Sequence, residues 1–318
     1  MSNVVLDPGL AIEGAAVRSR AGFLRHVLLE RKAATAGLGI IAFFVALAIA
    51  SPLVAPYSTT AQTCAVFAAP SARHWFGCDD GGIDVLSEII WGGRISLIIG
   101  FAATMISMVI GGGVGILSGY FGGWVDITLM RITDYLLVIP DLAFAMVIAD
   151  VWGPSLLHVI FVIGILEWAA TGRIIRAQVK SVKERVYIKR ARSIGAGNGR
   201  IIFRHILPQV GPLLMANTVL TIAVAIYLET ALAFLGLEDP TTTTWGTILE
   251  HAFERAAVSA GAWWAIVPDG IVITALIMGC FLLGQAIEDA LNPRLKVAHL
   301  SIRRWSLRPL AGRGSDAI

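Results

Sequence analysis

Charge is what this 318-residue chain has least of: Asp, Glu, Lys and Arg together make up 15%, against about a quarter in an ordinary soluble domain. That shortage excludes a soluble fold. Apolar residues reach 56% and mean hydropathy is +0.75, which leaves more apolar surface than one aqueous core can bury. Cysteine is scarce as well. Cys64, Cys78 and Cys280 are too few for a disulfide-dense scaffold, and their spacing fits no zinc or redox motif. The histidines, His26, His74, His158, His205, His251 and His299, are scattered without metal-ligand spacing, so no metal site is assigned. No nucleophile–base constellation stands out, so no catalytic residue is assigned and no enzyme activity is expected. The chain has no G-x-x-x-x-G-K-[ST] segment; Gly195-Ala-Gly-Asn-Gly199 lacks that spacing and reads as a turn between short helices. Any ATPase would therefore be a separate polypeptide. The net charge of +3 is clustered in a few segments, and no nucleic-acid partner is expected.

Long apolar runs are abundant. A helix needs about 20 mostly apolar residues to cross the hydrocarbon core, and only helices or closed barrels satisfy their own backbone there. Six stretches qualify, at about 33–54, 95–117, 125–149, 154–170, 213–235 and 265–283. The third is the weakest, because its first half is polar. The first is too long and too far from the N-terminus for a signal-peptide h-region, so it reads as a retained transmembrane helix. The expected fold class is an all-α integral membrane protein.

Orientation follows from Lys and Arg, which favour the cytoplasmic side. Five lie in the N-terminal segment from Arg18 to Lys32, ten between Arg173 and Arg204, and six from Arg294 to Arg313. Both termini and the long loop between the fourth and fifth helices are thus expected to be cytoplasmic. The expected organisation is a cytoplasmic segment over 1–32, a first transmembrane helix and outward segment over 33–93, a main transmembrane domain over 94–293, and a basic tail over 294–318. The outward loops are acidic and rich in tryptophan. Trp75, Trp91, Trp245, Trp263 and Trp264 are placed where an interfacial aromatic belt would sit.

Several residues invite a role. Cys64 and Cys78 share an outward, oxidising loop; a disulfide and a pair of free thiols are both open. Gly111, Gly115 and Gly119 recur every four residues, which lets helices approach closely in lipid; lining a substrate path is the alternative use. Arg131 and Asp134 are one turn apart and can pair locally. Glu167 and Glu229 lie near helix ends, where a charge needs a partner or a cavity; Glu229 could face a substrate path or a partner within the fold.

The most informative stretch is Arg173–Pro208. Its sequence Arg190-Ala-Arg-Ser-Ile-Gly-Ala-Gly-Asn-Gly-Arg-Ile-Ile-Phe-Arg-His-Ile-Leu-Pro208 reads as a short helix, a turn over Gly195–Gly199, and an amphipathic segment Arg200–Leu207 that Pro208 stops. A rigid element of this kind could transmit force from an external engine. The segment resembles the cytoplasmic loop of binding-protein-dependent ABC importer permeases, E-A-A, three residues, G, nine residues, I-x-L-P. Ala191, Gly195, Leu207 and Pro208 match, whereas Lys189 and Arg190 stand where the pattern has E and A, and His205 replaces I. The ending Arg204-His205-Ile206-Leu207-Pro208 is similar to the dipeptide, oligopeptide and nickel branch. So are Gly77–Ser87, Gly93–Leu97, Gly119–Asp126, Met130–Asp134 with Pro140, Trp168 with Arg173 and Arg176, Glu229–Leu237 leading to Trp245-Gly246, and Gly284 through Asp289–Arg294. Ile83 and Glu88 depart from that branch, which usually has arginine at both positions.

The resemblance implies a permease subunit of the bacterial cytoplasmic membrane, similar to the second, shorter one of a pair. It implies about six transmembrane helices with a coupling helix between the fourth and fifth. Its partners would be a homologous permease, two ABC ATPase subunits or domains and an extracytoplasmic solute-binding protein, all within membrane lipid. ATP and Mg would sit on the ATPases, with no cofactor on this chain. The expected coupling element is Ala191, Ser193, Ile194, Gly195, Ala196, Arg200, His205, Leu207 and Pro208. The expected solute is a short peptide; a nickel or other small-solute importer is the alternative, and a stand-alone secondary transporter would need inverted repeats and broken helices, which the sequence does not display.

Overall fold

The computed structural model describes residues 32–291, so both termini lie outside the described residues. Their expected side, the expected segments at 1–32 and 294–318, and Arg294 fall there too. Among the described residues there are helices and loops but no strand, only one isolated bridge between Cys78 and Asp84. The helices are α1 (Lys32–Val54), α2 (Val85–Phe121), α3 (Gly123–Val138), α4 (Asp141–Trp152), α5 (Leu156–Lys183), α6 (Val186–Ser193), α7 (Asn198–Ile201), α8 (Leu207–Phe234), α9 (Trp245–Glu254) and α10 (Val267–Leu291). A π-helical turn, Ile202–Ile206, joins α7 to α8, and a 3-10 turn, Trp263–Ala265, precedes α10. Five of these rods are long and apolar enough to cross a membrane, and α3 with α4 make a sixth if the bent pair counts as one span.

Three expectations about the helices are corrected. The third span is not one helix: α3 and α4 meet at a 90° bend. Pro140 explains it. A residue before proline is pushed out of the α region, and Ile139 is extended at φ −80°, ψ 132°. The second span starts ten residues early, at Val85, because Asp84 accepts a hydrogen bond from the Ser87 N–H and caps α2 there. At 1.5 Å per residue the 37 residues of α2 run roughly 55 Å, well beyond a hydrocarbon core of about 30 Å, so the helix is longer than one crossing needs. Finally, Pro208 does not stop a helix. It sits where a π turn passes into α8: the Leu207 N–H bonds to the Ile202 carbonyl across the wide turn, which lets the helix run on past the proline that lacks an N–H. The segment from Asn198 to Phe234 is a single rod.

The tightest seam is α2 against α5. A Cβ on Gly111 would meet the Trp168 carbonyl at 2.5 Å, one on Gly115 the Gly172 carbonyl at 2.7 Å, and one on Gly119 the Val179 Cβ at 2.8 Å. The four-residue stripe therefore lies backbone to backbone on its neighbour, a contact that larger side chains forbid. α1 meets α10 similarly, with Gly37 facing the Gly279 carbonyl at 2.6 Å. Trp245 is not an interfacial anchor. It is buried against Gly93, within an apolar cluster of Phe44, Leu97, Ile226, Ile248 and Leu276, and its Nε1–H donates to the Ile89 carbonyl at 2.9 Å.

Candidate functional site

The loop between α5 and α8 forms one end of the molecule. α6 ends in a closed C-cap. Gly195 adopts φ +81°, the Gly195 N–H donates to the Arg192 carbonyl at 3.0 Å, and the Ala196 N–H donates to the Ala191 carbonyl at 3.0 Å. This is the paired bonding of a Schellman motif, in which the left-handed residue is normally glycine. A Cβ on Gly195 would meet nothing within 4 Å, so the demand for glycine is conformational and not steric. Ser193 Oγ donates to the Lys189 carbonyl at 3.0 Å.

One face of this end is inward. Ile188 and Ala191 of α6, Ile201 of α7 and Ile206 of the π turn are buried; Ile188, Ile201 and Ile206 share a cluster with Ile175, Val179 and Val182 of α5 and Tyr120 of α2. The other face is bare: Ile194 is 86% and Phe203 71% exposed. Gly195, Arg200 and the neighbouring Arg190, Arg192 and Arg204 are exposed too, whereas Ala196, His205, Leu207 and Pro208 are half-buried. The His205 ring lies 6.4 Å from that of Tyr187. The result is a firmly backed knob of apolar and cationic side chains. Such a surface can be gripped.

Polar contacts tie the knob to the long helices. Tyr120 Oη donates to Asn198 Oδ1 at 2.8 Å, and Lys183 and Arg192 flank the Tyr120 ring at 5.8 and 5.7 Å. Nearby, Asp126 of α3 accepts from Arg176 Nε at 2.5 Å, Arg176 Nη2 at 2.8 Å and Lys180 Nζ at 2.7 Å. This three-way lock between α3 and α5 was not singled out from sequence, although Arg176 and Lys180 are four apart on one helix face. The expected local pair is corrected in the same region: Asp134 pairs with Arg173 of α5 at 2.6 Å, not with Arg131. Asp134 lies eight residues, about two turns, beyond Asp126 on α3, so both carboxylates fall on the face that meets α5.

At the opposite end, the segment before α2 folds back on itself as a cap. Cys64 and Cys78 form a disulfide, and their thiol positions with His74 make a group whose potential ligand atoms lie within 4.8 Å of one another. The sequence had left that disulfide and a pair of free thiols open, and the structure shows the disulfide; the approach of His74 had no signal in the spacing, because backbone bonds, not a helical repeat, bring it there. Beneath the cap lies a set of buried carboxyl groups that sequence did not bring together either. Glu229 of α8 accepts from Ser96 and Thr230 hydroxyls at 3.0 and 3.2 Å, so its partners lie within the fold. Glu238 accepts from the Thr244 hydroxyl at 3.0 Å, and Ser96 Oγ also accepts from the Trp245 N–H. Burial, followed by the charge of Glu229, pushes the Glu238 carboxyl up to about 8. Glu167 is half-buried with Asp141 as its charged neighbour.

Comparison with known proteins gives this arrangement a family. Residues 111–297 match the model of the binding-protein-dependent transport system inner membrane component, and residues 23–70 match that of the N-terminal TM domain of oligopeptide transport permease C.

The chain belongs to this permease family.

Among curated relatives, the dipeptide transport system permease protein DppC of Alkalihalophilus pseudofirmus is 35% identical over 85% of this chain and 88% of its own. Its namesake from Bacillus subtilis is 32% identical over 85% and 84%. The glutathione transport system permease protein GsiD of Pectobacterium atrosepticum is 33% identical over 86% and 91%. The chain is thus a multi-pass permease of the bacterial cytoplasmic membrane, similar to peptide permeases over most of its length.

Proposed function

We propose that this chain is one permease subunit of an ATP-driven importer of short peptides, coupled to separate ATPase subunits through residues 189–208. The observation that carries the coupling role is the knob itself. Ile194 and Phe203 are exposed at the tip of an element closed by the Gly195 cap and backed by α5 and α8. Large exposed apolar side chains on such a rigid support are the signature of a docking surface. A groove on an ATPase that grips it would move α5 and α8 together, because α6 and α7 are packed between them.

The knob then faces the cytoplasm, in keeping with its basic residues, and the cap faces the extracytoplasmic solute-binding protein. The complex pairs this subunit with a second homologous permease and two ATPase subunits or domains. ATP and Mg belong to the ATPases, and substrate passes along the interface between the permeases. Dipeptides are the favoured solute because two of the relatives above are dipeptide permeases by name; the glutathione permease among them favours a tripeptide as the second reading.

The reading is tested by tagging the chain in its native membranes, recovering its complex and assaying uptake after reconstitution. Co-recovery of a second permease, P-loop ATPases and a solute-binding protein, with dipeptide uptake that excess dipeptide suppresses more than glutathione, is expected. Recovery of the chain alone as a transport-competent unit would make it a secondary transporter.

A further inference from the structure

The cap holds three metal-ligating side chains that the transport reading does not use. Cys64, His74 and Cys78 offer ligand atoms within 4.8 Å of one another. Tetrahedral zinc, with zinc–sulfur bonds of about 2.3 Å, sets sulfur atoms about 3.8 Å apart, so the S–S bond must open and the two sulfurs must part before they can chelate.

Four features of the surroundings favour a ligand site. First, the backbone brings the ligands together without help from the S–S bond. The Thr63 and Cys64 N–H groups donate to the Gly82 carbonyl, Phe67 N–H to Asp79, Cys78 N–H to Ala68 and Val85 N–H to Gly77. With the sulfurs reduced, the two thiols would still face each other across a Cα separation of 6.5 Å. Second, His74 is held by a carboxylate. Its Nδ1 lies 2.9 Å from Asp84 Oδ1; with Nδ1–H donating to that carboxylate, Nε2 carries the lone pair. Asp84 is in turn fixed by the Ser87 N–H at 2.9 Å and the Ser87 hydroxyl at 2.7 Å. A carboxylate behind a histidine is the usual support of a metal-ligating imidazole. Third, Cys78 is fully buried and Cys64 half-buried, giving a site that is enclosed yet open on one side, and the Gly82 carbonyl oxygen lies 3.2 Å from Cys64 Sγ. Fourth, Asp79, Asp80 and Asp84 give the loop an acidic field that draws cations.

We propose that the reduced cap is a binding site for one thiophilic divalent cation of the zinc class, ligated by Cys64, Cys78 and His74. The cap then has two mutually exclusive closures, a disulfide and a metal. Conversion balances simply. A dithiol reductant gives two electrons and two protons to the S–S bond and itself closes to a cyclic disulfide. The two freed thiols then release two protons as they ligate the metal, and the His74 lone pair supplies the third bond. Either closure fastens the start of the cap to the segment leading into α2. Only the metal closure responds to cation supply on that side of the membrane.

The test uses the full chain in detergent, with Cys280→Ser as background, cobalt(II) as the spectroscopic probe and zinc(II) as competitor. After treatment with dithiol and its removal, one equivalent of cobalt should give a thiolate-to-metal charge-transfer band that zinc abolishes. The oxidised protein should give no band, and neither should Cys64→Ser/Cys78→Ser. His74→Gln should weaken binding by about tenfold or more. The oxidised protein is a control that needs no substitution, so the result does not depend on the variants folding. Equal cobalt binding by oxidised and reduced protein would overturn the proposal, as would a reduced protein that gives no charge-transfer band. Indifference to His74→Gln would overturn the three-ligand site as well.

Discussion

Gly115 offers a sharp test of the packing, because the same helix carries its own control. A methyl group on Gly115 would lie 2.7 Å from the Gly172 carbonyl oxygen and 2.7 Å from Ile175 Cβ. Ordinary contact begins near 3.4 Å, so the α2–α5 seam would have to open by roughly 0.7 Å against backbone that cannot rotate away. Overpacking of this kind costs about 1–3 kcal/mol. Two residues earlier, a methyl group on Gly113 would meet nothing within 4 Å. There the substitution keeps only its helix-propensity gain, at most about 1 kcal/mol. Gly115→Ala should therefore lower, and Gly113→Ala leave or raise, the stability of the purified protein, with about 1–4 kcal/mol between them. Thermal unfolding in one detergent, with reversibility checked, measures the difference. Equal shifts in both variants would refute the backbone-to-backbone account of the seam.

Other expectations follow from single contacts. The Glu238 carboxyl is raised to about 8, so between its unfolded value of about 4.5 and that figure the folded chain holds a proton the unfolded chain has lost. Stability should fall across that window as pH rises, and Glu238→Gln should flatten the profile; an unchanged slope would show that Glu238 does not titrate there. Trp245→Phe removes the indole donor to the Ile89 carbonyl, which keeps its helical bond within α2, so it should cost about 0.5–1.5 kcal/mol for the lost bond, read from the unfolding midpoint. The Arg173–Asp134 pair is more than half exposed on both sides, so Arg173→Ala should move stability by less than about 1 kcal/mol; a larger loss would mean the pair is shielded in the working complex.

Much of this was legible in the sequence, for reasons that differ between elements. The apolar runs showed because hydrocarbon tolerates little else, and the glycine stripe on α2 because close helix approach requires small residues at that spacing. The break at Pro140 was hidden by the apolar run that continues through it. Pro208 misled in the opposite direction, since a proline that a π turn accommodates looks in sequence like proline at a stop. Charge partners were the least legible: Arg131 is the sequence neighbour of Asp134, but the packing of α3 on α5 presents Arg173 to it instead. The lock of Asp126 with Arg176 and Lys180, and the meeting of His74 with the two cysteines, depend on loops and crossings that no local pattern records.

If the knob closed by Gly195 transmits work from an ATPase, Gly195→Val should break that transmission. A β-branched residue at φ +81° is strained by at least about 1–2 kcal/mol, and the capping bonds to Ala191 and Arg192 would be lost or distorted while the membrane helices stay untouched. The complex should still insert and assemble. ATP hydrolysis stimulated by the loaded solute-binding protein and peptide uptake should part company, with uptake reduced at least about tenfold. Uptake and its ratio to ATP hydrolysis unchanged in Gly195→Val would show that the capped knob does not couple the two.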